Sequence, residues 1–220
     1  MNAQAKQIAL PIEGHEPSAE AAALRVPANE LAHRLIEEPN SWLNNVAIIY
    51  GPEASGKSRL LAAFAAQQGT SVLKPNALYR NFAGEALVLD GLEQVAGDKE
   101  LETALFHLIN RAILGELKIL ISAGRPMGSL DFLIPDLRSR VAGSSSAIIE
   151  EPDTQTLRLL LLKHFAERQI DVKMPVIDFV VGRIERSYQS VARAAAVMDA
   201  IALVEGRAIT VPLAKEALEL

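Results

Sequence analysis

A glycine-rich octapeptide between an apolar run and a helical pattern limits the folds open to this chain more than any other feature. Residues 51–58 read GPEASGKS and fit the pattern G-x-x-x-x-G-K-[ST] without deviation. The preceding run, Val46–Tyr50, is short and β-branched like a buried parallel strand, and apolar residues recur at helical spacing from Ser58 onward. Strand, loop and helix in this order predict a phosphate-binding loop. The same flanks argue against a chance Gly/Ser loop.

The loop and a later strand end specify nucleotide chemistry. Backbone N–H groups of such a loop face phosphates, and the helix N-terminus favours an anion. Lys57 is expected to reach the β- and γ-phosphates, and Ser58 to hold Mg²⁺. The apolar run 87–89 ends at Asp90, whose carboxylate is expected beside Ser58 as a second Mg²⁺ contact, direct or through water. We therefore predict ADP or ATP with Mg²⁺ as cofactors. The predicted nucleotide contacts from this region are Gly51, Pro52, Glu53, Ala54, Ser55, Gly56, Lys57, Ser58, Arg59 and Ser122.

Three further positions bear on turnover. Gly91 follows Asp90, where an efficient hydrolase of this kind carries a second carboxylate that orients the attacking water. Glu93 is nearby, but we expect it on the wrong side of the strand end or one helical step away. Ser122 ends another strand, and its hydroxyl either faces the γ-phosphate or is satisfied by backbone. The sequence thus predicts nucleotide binding with slow or no hydrolysis by the chain itself.

Apolar runs alternate with helical patterns up to residue 149, and only helical patterns follow. The predicted strands are 46–50, 71–73, 86–89, 118–122 and 147–149, and helices are predicted from 58 and at 99–114 and 135–141. Later helices are predicted at 154–168, 175–184, 187–204 and 211–218, with Asp153 and Ser187 as N-caps and Gly206 as a stop. The fold class is α/β with a five-stranded parallel sheet, followed by a small all-α domain. We divide the chain into a tail (1–25), a nucleotide-binding domain (26–152) and a helical domain (153–220), and interpret Ser144–Ser146 as a turn.

Composition narrows the function classes. The 220 residues include no cysteine, which excludes disulfides, zinc fingers, thiolate nucleophiles and iron–sulfur clusters. The net charge of −5 argues against direct nucleic-acid binding, since phosphate neutralisation needs a basic face. No segment is long and apolar enough for a secretory signal or a membrane span, so we expect a cytoplasmic protein without a membrane partner. Four histidines are scattered without metal-ligand spacing and are interpreted as surface or capping residues: His15, His33, His107 and His164.

From Asn29 onward these residues resemble the DnaA-related branch of the AAA+ ATPases, and within it the shortened regulators of the Hda kind. Asn29–His33 looks like the segment that precedes the P-loop and borders the adenine. Ser122–Pro126 looks like the family's polar-x-x-Arg-Pro turn, and Asp136–Arg140 like the helix whose last Arg is an arginine finger. Ala208–Glu216 resembles the very end of Hda. The resemblance implies an AAA+ P-loop domain followed by a helical lid.

The resemblance also implies roles for particular arginines. Arg140 would act in trans, stabilising transition-state charge on a neighbour's nucleotide, so it joins Asp90 in the predicted catalytic set. Composition alone would favour a surface salt bridge for Arg140. The family's sensor-2 arginine falls on Gln189 here, and the two candidates to replace it from the same helical face are Arg186 and Arg193. We include Arg193 among the predicted nucleotide contacts.

The N-terminal tail carries a hexamer similar to the clamp-binding tail of Hda. Its residues are Gln7, Ile8, Ala9, Leu10, Pro11 and Ile12. The Gln7 amide both donates and accepts, Leu10 and Ile12 are aliphatic anchors, and Pro11 stiffens an extended peptide so that docking loses less entropy. At the other end the sequence stops at Leu220, where DnaA continues into a basic helix-turn-helix domain, so origin recognition is not expected of it.

The function that the resemblance implies is negative regulation of replication initiation, by a clamp-bound AAA+ protein that promotes ATP hydrolysis on DnaA. The expected partners are the β sliding clamp of DNA polymerase III and DnaA, with DNA contacted only indirectly through the clamp and a homo-oligomer left open. Two alternatives stay open. One is an AAA+ loader or adaptor for a helicase or another DNA enzyme, which would not need the tail. The other is a self-sufficient P-loop ATPase or kinase, which predicts turnover by the isolated chain.

Overall fold

The structure is a computed structural model that describes residues 24–79 and 82–218. The strands are β1 (Val46–Tyr50), β2 (Val72–Leu73), β3 (Ala86–Asp90), β4 (Lys118–Ala123) and β5 (Ser145–Ile148). The helices are α1 (Glu30–Glu37), α2 (Lys57–Gln67), α3 (Lys99–Ile113), α4 (Pro135–Ala142), α5 (Thr154–Glu167), α6 (Met174–Val181), α7 (Tyr188–Glu205) and α8 (Val211–Leu218). We refer to the part up to residue 152 as the α/β region and to α5–α8 as the lid.

The five strands form one parallel sheet in the order β2-β3-β4-β1-β5, which confirms the predicted fold class. β1 is paired on both sides, and Tyr50 at its end lies opposite Ala123 of β4 and Ile148 of β5. In the β3–β4 pair, Asp90 lies opposite Ser122. Because parallel strands end at the same edge, this register brings the loop after β1, Asp90 and Ser122 to one edge of the sheet.

Helices cover both faces of the sheet and bury alternate strand residues. Val46 and Ile48 pack with the apolar side chains of α3 and α4, whereas Ala47 and Ile49 pack with those of α1 and α2. All four side chains are inaccessible to solvent. Burying a large aliphatic side chain stabilises a fold by about 1.5–3 kcal/mol, so this three-layer core holds the loop after β1 in place.

The lid builds a separate apolar core from its own four helices, around residues such as Leu161, Phe165 and Met198. Its helix ends follow the predicted capping residues. The Asp153 carboxylate accepts from the Thr156 N–H, and the Ser187 hydroxyl accepts from the Ser190 N–H. Gly206 ends α7 in the left-handed conformation, at φ 63°. These three sequence predictions are confirmed.

The fifth strand begins at Ser145, two residues earlier than predicted. Ser145 and Ser146 belong to β5, so the interpretation of the serine run as a turn is wrong. The reason is local pairing: β5 is an edge strand on β1, and the Ser145 hydroxyl accepts a hydrogen bond from the Leu43 N–H at 2.8 Å. Small polar residues are tolerated at such an edge because one side of the strand stays open.

Three other differences concern helices and histidines. α1 was not predicted as a helix, although its segment was singled out by resemblance. α6 ends at Val181 rather than at residue 184. His33 of α1 is buried, not a surface or capping residue, and its Nε2 has no hydrogen-bond partner among the described residues. Within the described ranges, no helix is long and apolar enough to cross a membrane.

Candidate functional site

The loop between β1 and α2 wraps tightly around the start of α2. Gly56 adopts a left-handed conformation (φ 91°) directly before the helix, and Ala54 also has a positive φ. A Cβ at Gly51 would lie 2.8 Å from the Ile149 Cβ, so this position leaves no space for a side chain. The chain thereby curls into a concave loop at the N-terminus of α2, the geometry in which backbone N–H groups converge on an anion.

The ammonium of Lys57 lies within this concave loop. Its Nζ donates to the carbonyl oxygens of Gly51 at 2.9 Å and Pro52 at 2.7 Å. Burial lowers the pKa of Lys57, while the nearby carboxylates of Glu93, Asp90 and Glu53 act in the opposite direction. These carbonyl oxygens carry no full charge, and Lys57 forms no ion pair with any side chain that the structure describes. A phosphate oxygen can take over these contacts and add charge compensation.

Asp90, at the end of β3, is the centre of a hydrogen-bond cluster. Its Oδ2 accepts from the Ser58 hydroxyl at 3.2 Å and from the Lys74 ammonium at 2.7 Å, and its Oδ1 accepts from the Ser122 hydroxyl at 2.5 Å. Burial by itself would raise the pKa of Asp90. The hydrogen bonds from Lys74, Ser122 and Ser58 and the charge of Lys74 outweigh it, so the pKa lies below its usual value. The carboxylate is therefore held ionised beside the loop.

The Ser122 hydroxyl has two internal partners. It donates to Asp90 and accepts from the Gly91 N–H at 3.0 Å, and the side chain is buried. Of the two roles left open by the sequence, the observed contacts are those of an internally satisfied serine. They fix the peptide after Asp90 to the end of β4.

A cleft of about 270 Å³ lies between the loop, the segment before α1 and the lid. Leu24, Val26 and Asn29 line one side, the loop residues from Ala54 to Arg59 form the floor, and five lid residues close the other side: Leu160, Lys163, His164, Tyr188 and Ala192. The volume is close to the lower limit of about 300 Å³ for ligand pockets. An apolar and aromatic wall facing a cationic floor suits a nucleotide, with the base on the wall and phosphates on the floor.

The segment that precedes α1 is braced by Asn29. Its Oδ1 accepts from the Val26 N–H at 2.9 Å and its Nδ2 donates to the Leu24 carbonyl at 2.8 Å. Asn29 therefore shapes the wall of the cleft through its amide. His33, four residues on, is not among the residues that line the cleft.

Of two further cationic residues predicted as nucleotide contacts, Arg59 lines the cleft and Arg193 does not. The Arg59 guanidinium forms two hydrogen bonds to the Glu167 carboxylate of α5, at 3.0 and 3.2 Å, and so connects the loop helix to the lid. Arg193 and Gln189 line a second cavity of about 990 Å³ in the lid, whereas Arg186 is exposed. On α7, Tyr188 and Ala192 face the nucleotide cleft in their place.

Arg140 lies in the last turn of α4, away from the residues that line the cleft. Its guanidinium carbon is 4.8 Å from the centroid of the Phe106 ring of α3, a cation–π contact. Arg138, two residues earlier, is exposed. The ring limits the rotamers of Arg140, and no anionic side chain pairs with it within residues 24–79 and 82–218, so its positive charge is available to an outside anion.

Three charged residues make contacts that were not predicted from the sequence. Lys74 pairs with Asp90, and this neighbourhood could have been inferred, since β2 and β3 pair in register with Leu73 opposite Leu89. Glu93 was expected nearby, on the wrong side of the strand end or one helical step away; its Oε2 accepts from the Gly124 N–H at 3.1 Å, and its charge opposes the lowering of the Lys57 pKa by burial. Glu102 of α3 is fully buried and accepts from three backbone N–H groups, including those of Leu133 and Ile134 before α4. No local pattern in the sequence predicts that Glu102 is buried and accepts these hydrogen bonds.

Two further predictions concern the clamp-binding tail and the Mg²⁺ ligands. The clamp-binding hexamer, residues 7–12, lies outside the described residues. Among residues 24–79 and 82–218, no group of three or more His, Asp or Glu side chains is arranged to hold a metal ion. A Mg²⁺ contact from Ser58 and Asp90 would need oxygen ligands from phosphate and water to complete it.

Sequence comparisons place this geometry among known proteins. The family described as Hda, lid domain, matches residues 153–218. An uncharacterized protein of Haemophilus influenzae is 30% identical over 187 residues, which cover 78% of this chain and 80% of that protein. The chromosomal replication initiator protein DnaA of Thermomicrobium roseum is 31% identical over 134 residues, which cover 61% of this chain and 29% of the initiator.

Solved structures share the fold. Domain III of the replication initiation protein DnaA from Thermotoga maritima has a TM-score of 0.74 at 19% identity, with 89% of this chain and 92% of that chain covered. The AMPPCP-bound DnaA of Aquifex aeolicus has a TM-score of 0.65 at 21% identity, with 83% and 63% covered. At these identities the likeness concerns the arrangement of sheet, loop and lid.

Proposed function

Because this chain belongs to the DnaA-related, Hda-like proteins of the AAA+ family, we propose that it restrains DNA replication initiation by promoting ATP hydrolysis on DnaA. In this proposal the chain is anchored to the β sliding clamp of DNA polymerase III through Gln7–Ile12. It holds ADP or ATP in its own cleft and presents Arg140 to ATP bound on DnaA. Hydrolysis there converts the initiator to its ADP form.

The cleft residues have the chemistry to hold an adenine nucleotide. Lys57 and the N–H groups at the start of α2 would bind the phosphates, and Ser58 with Asp90 would hold Mg²⁺. Tyr188 and Leu160 offer aromatic and aliphatic surface to a base. A bound Mg²⁺ supplies charge neutralisation between phosphate oxygens. The AMPPCP-bound relative supports this part of the proposal, since it has the same fold.

The observation that carries the proposal is the environment of Arg140. The side chain is half-buried against Phe106, lies outside the chain's own cleft and has no ion-pair partner among the described residues. An unpaired, oriented guanidinium suits a γ-phosphate presented by another molecule, where it would stabilise the charge that builds up in the transition state. A guanidinium already paired with a carboxylate would have to break that pair first.

Weak turnover by the chain itself fits the same role. The residue after Asp90 is Gly91, with φ 106°, so no side chain extends from this point toward a water molecule. Retained nucleotide would then act as a structural ligand that holds α2 and the lid together. The chain's effect on ATP would be exerted on its partner.

The test is DnaA-dependent ATP hydrolysis in the presence of the clamp loaded on DNA. Arg140→Ala should lose stimulation of the DnaA ATPase by at least about 100-fold, since arginine fingers contribute 10³–10⁵ in rate. Arg138→Ala, on the same helix, is the matched control and should retain stimulation. Both variants should still bind the clamp. Stimulation that survives in Arg140→Ala would overturn the assigned role.

The tail is tested separately, by clamp binding. Surface plasmon resonance with the clamp from the same source should show binding by wild type and none by the double variant Gln7→Ala, Leu10→Ala. Wild type without clamp affinity would favour an AAA+ loader or adaptor for a helicase or another DNA enzyme, since that role does not need the tail.

One contact favours a second candidate, a self-sufficient P-loop ATPase. The Glu93 carboxylate lies against the end of β4 and acts on Lys57, so an acid is present near the loop although Gly91 is not one. Phosphate release by the purified chain, measured with and without Glu93→Gln, decides between the two. Turnover that Glu93→Gln abolishes would support this candidate, and a flat trace for wild type would exclude it.

A further inference from the structure

We propose that Lys74 is a built-in counter-cation for Asp90, which allows the cleft to bind a nucleoside diphosphate without Mg²⁺. The proposal rests on the nucleotide binding proposed above and concerns the ionic requirement of that same site. It assigns to Lys74, whose side chain projects from the sheet edge, the charge neutralisation that a P-loop protein otherwise obtains from a divalent cation.

The contact geometry places the ammonium against the carboxylate that was predicted to contact Mg²⁺. Lys74 Nζ lies 2.7 Å from Asp90 Oδ2, the oxygen that also accepts from the Ser58 hydroxyl. Asp90 Oδ1 is committed to Ser122. Both carboxylate oxygens therefore already have hydrogen-bond donors, and a Mg²⁺ ion in direct contact with Oδ2 would be repelled by the adjacent ammonium.

Backbone pairing holds Lys74 in this position. Leu73 of β2 lies opposite Leu89 of β3, so the next residues along the two strands, Lys74 and Asp90, emerge side by side. Pro75 follows Lys74 and restricts the backbone as the chain turns away. The ion pair thus follows from sheet register rather than from a chance rotamer of a long side chain.

Unequal exposure makes the pair more than a surface salt bridge. The Asp90 side chain is only 16% exposed, whereas that of Lys74 is 65% exposed. Pairs with both ends in water contribute little. Here one end is a largely desolvated carboxylate, which would remain as an uncompensated negative charge next to the phosphates if Lys74 were removed.

Charge balance then determines the ionic requirement. A diphosphate brings several negative charges to a loop on which the carboxylates of Glu93, Asp90 and Glu53 already act. Lys57 offsets part of this from within the loop. With Lys74 present, Asp90 is neutralised before any nucleotide arrives. Metal-free diphosphate should bind nearly as well as its Mg²⁺ complex, whereas a protein without this lysine should need the metal.

The experiment measures affinity rather than turnover. The fluorescent ADP analogue mant-ADP is titrated with the full chain, by anisotropy, in excess Mg²⁺ and again in EDTA. For wild type, we expect removal of Mg²⁺ to change the dissociation constant by less than about threefold. For Lys74→Ala, we expect about tenfold or more weakening in EDTA, with recovery in Mg²⁺, because the largely buried Asp90 carboxylate then lacks its counter-charge beside the phosphates.

Three matched variants separate charge from other effects. Lys74→Arg keeps the charge and should behave as wild type, whereas Lys74→Gln keeps a donor without the charge and should behave as Lys74→Ala. Lys99→Ala removes an exposed lysine of the same region, at the start of α3, and should leave the metal dependence unchanged. Circular dichroism of each variant checks folding. Lys74→Gln behaving as wild type would overturn the proposal, since a hydrogen bond alone would then suffice.

Other outcomes are equally decisive. If wild type depends on Mg²⁺ as strongly as Lys74→Ala does, the counter-cation role is wrong. Binding that still disappears in Lys57→Ala would then leave the proposed nucleotide site standing. If wild type binds mant-ADP in neither condition, or if Lys57→Ala binds as well as wild type, both the inference and the proposed site fail.

Discussion

The α/β region and the lid are stabilised in different ways. Of the buried polar or charged side chains in the described residues, all but Thr156 belong to the α/β region, including Glu102 and Ser122. The lid core is apolar, and an ion pair such as Arg158–Asp178 lies on its surface. Hydrogen bonds between buried polar groups fix the orientation of the residues that they join. Apolar contacts are less directional and mainly require that the core volume is filled.

This difference gives the two regions different tasks: the α/β region positions functional side chains, and the lid forms one wall of the cleft. In the α/β region, buried hydrogen bonds fix Asp90 beside the P-loop and fix the chain before α4, the helix that carries Arg140. The lid contributes residues to one wall of the cleft, and the interior of the lid itself needs only apolar packing. A lid that packs internally can shift against the α/β region without losing its own core. We expect perturbations of the two regions to have separable consequences.

The largest expected effect tests whether the lid unfolds separately. Phe165 is almost completely buried in the lid core, and Phe165→Ala should cost about 3–5 kcal/mol of lid stability through lost contacts and a cavity. Hydrogen exchange should then show loss of protection in α5–α8 with β1, β3 and β4 still protected. Leu159→Ala, on the same helix but 41% exposed, is the control. Simultaneous loss of protection in the sheet would contradict a separable lid.

The next effect probes a buried polar anchor of the α/β region. Glu102 Oε1 accepts from Gly97 and Leu133, and Oε2 accepts from Ile134. Glu102→Gln sets an NH₂ group against one of these donors, so we expect a loss of about 2–3 kcal/mol in chemical denaturation. Amide exchange should rise just before α4.

The control for Glu102 is Glu100→Gln, an exposed change in the same helix. Equal unfolding free energies for the two variants would show that the buried carboxylate is not an anchor. If Glu102→Gln also lowers stimulation of the DnaA ATPase by more than the loss of folded protein explains, Glu102 positions α4, the helix that carries Arg140.

The same contrast explains which features the sequence predicted. Val46–Tyr50 and its loop were predicted because a short local pattern determines them, and Asp153 was predicted as a cap for the same reason. β5 was misplaced because edge strands with serines lack an apolar signature. The partners Lys74–Asp90 and Arg59–Glu167 depend on where distant elements meet. Residues 16 and 108 positions apart become neighbours only through the sheet register and the docking of the lid.

A smaller effect concerns His33, whose buried Nε2 has no hydrogen-bond partner in the part of the chain that the structure describes. Burial, and then the charge of Arg25, lowers the pKa of His33 below its usual value of about 6.5. As pH falls below 6.5, the unfolded chain binds a proton that the folded chain does not, so the free energy of unfolding decreases. One such group contributes at most about 1.4 kcal/mol per pH unit. His33→Phe should reduce this slope between pH 7 and pH 5.5 in denaturation series. An unchanged slope would show that His33 does not contribute to it.

The smallest expected effect lies at the junction of the two regions. Arg59 and Glu167 are each 28% exposed at their side chains and form two hydrogen bonds, whereas Arg158 and Asp178, within the lid, are 43% and 51% exposed. Double-mutant cycles to Ala should give a coupling energy of about 0.5–1 kcal/mol for the first pair and about 0.2–0.5 kcal/mol for the second. Raising the salt concentration should weaken the exposed pair more. Additive effects for Arg59 and Glu167 would mean that nucleotide and apolar contacts alone join the lid to the P-loop helix.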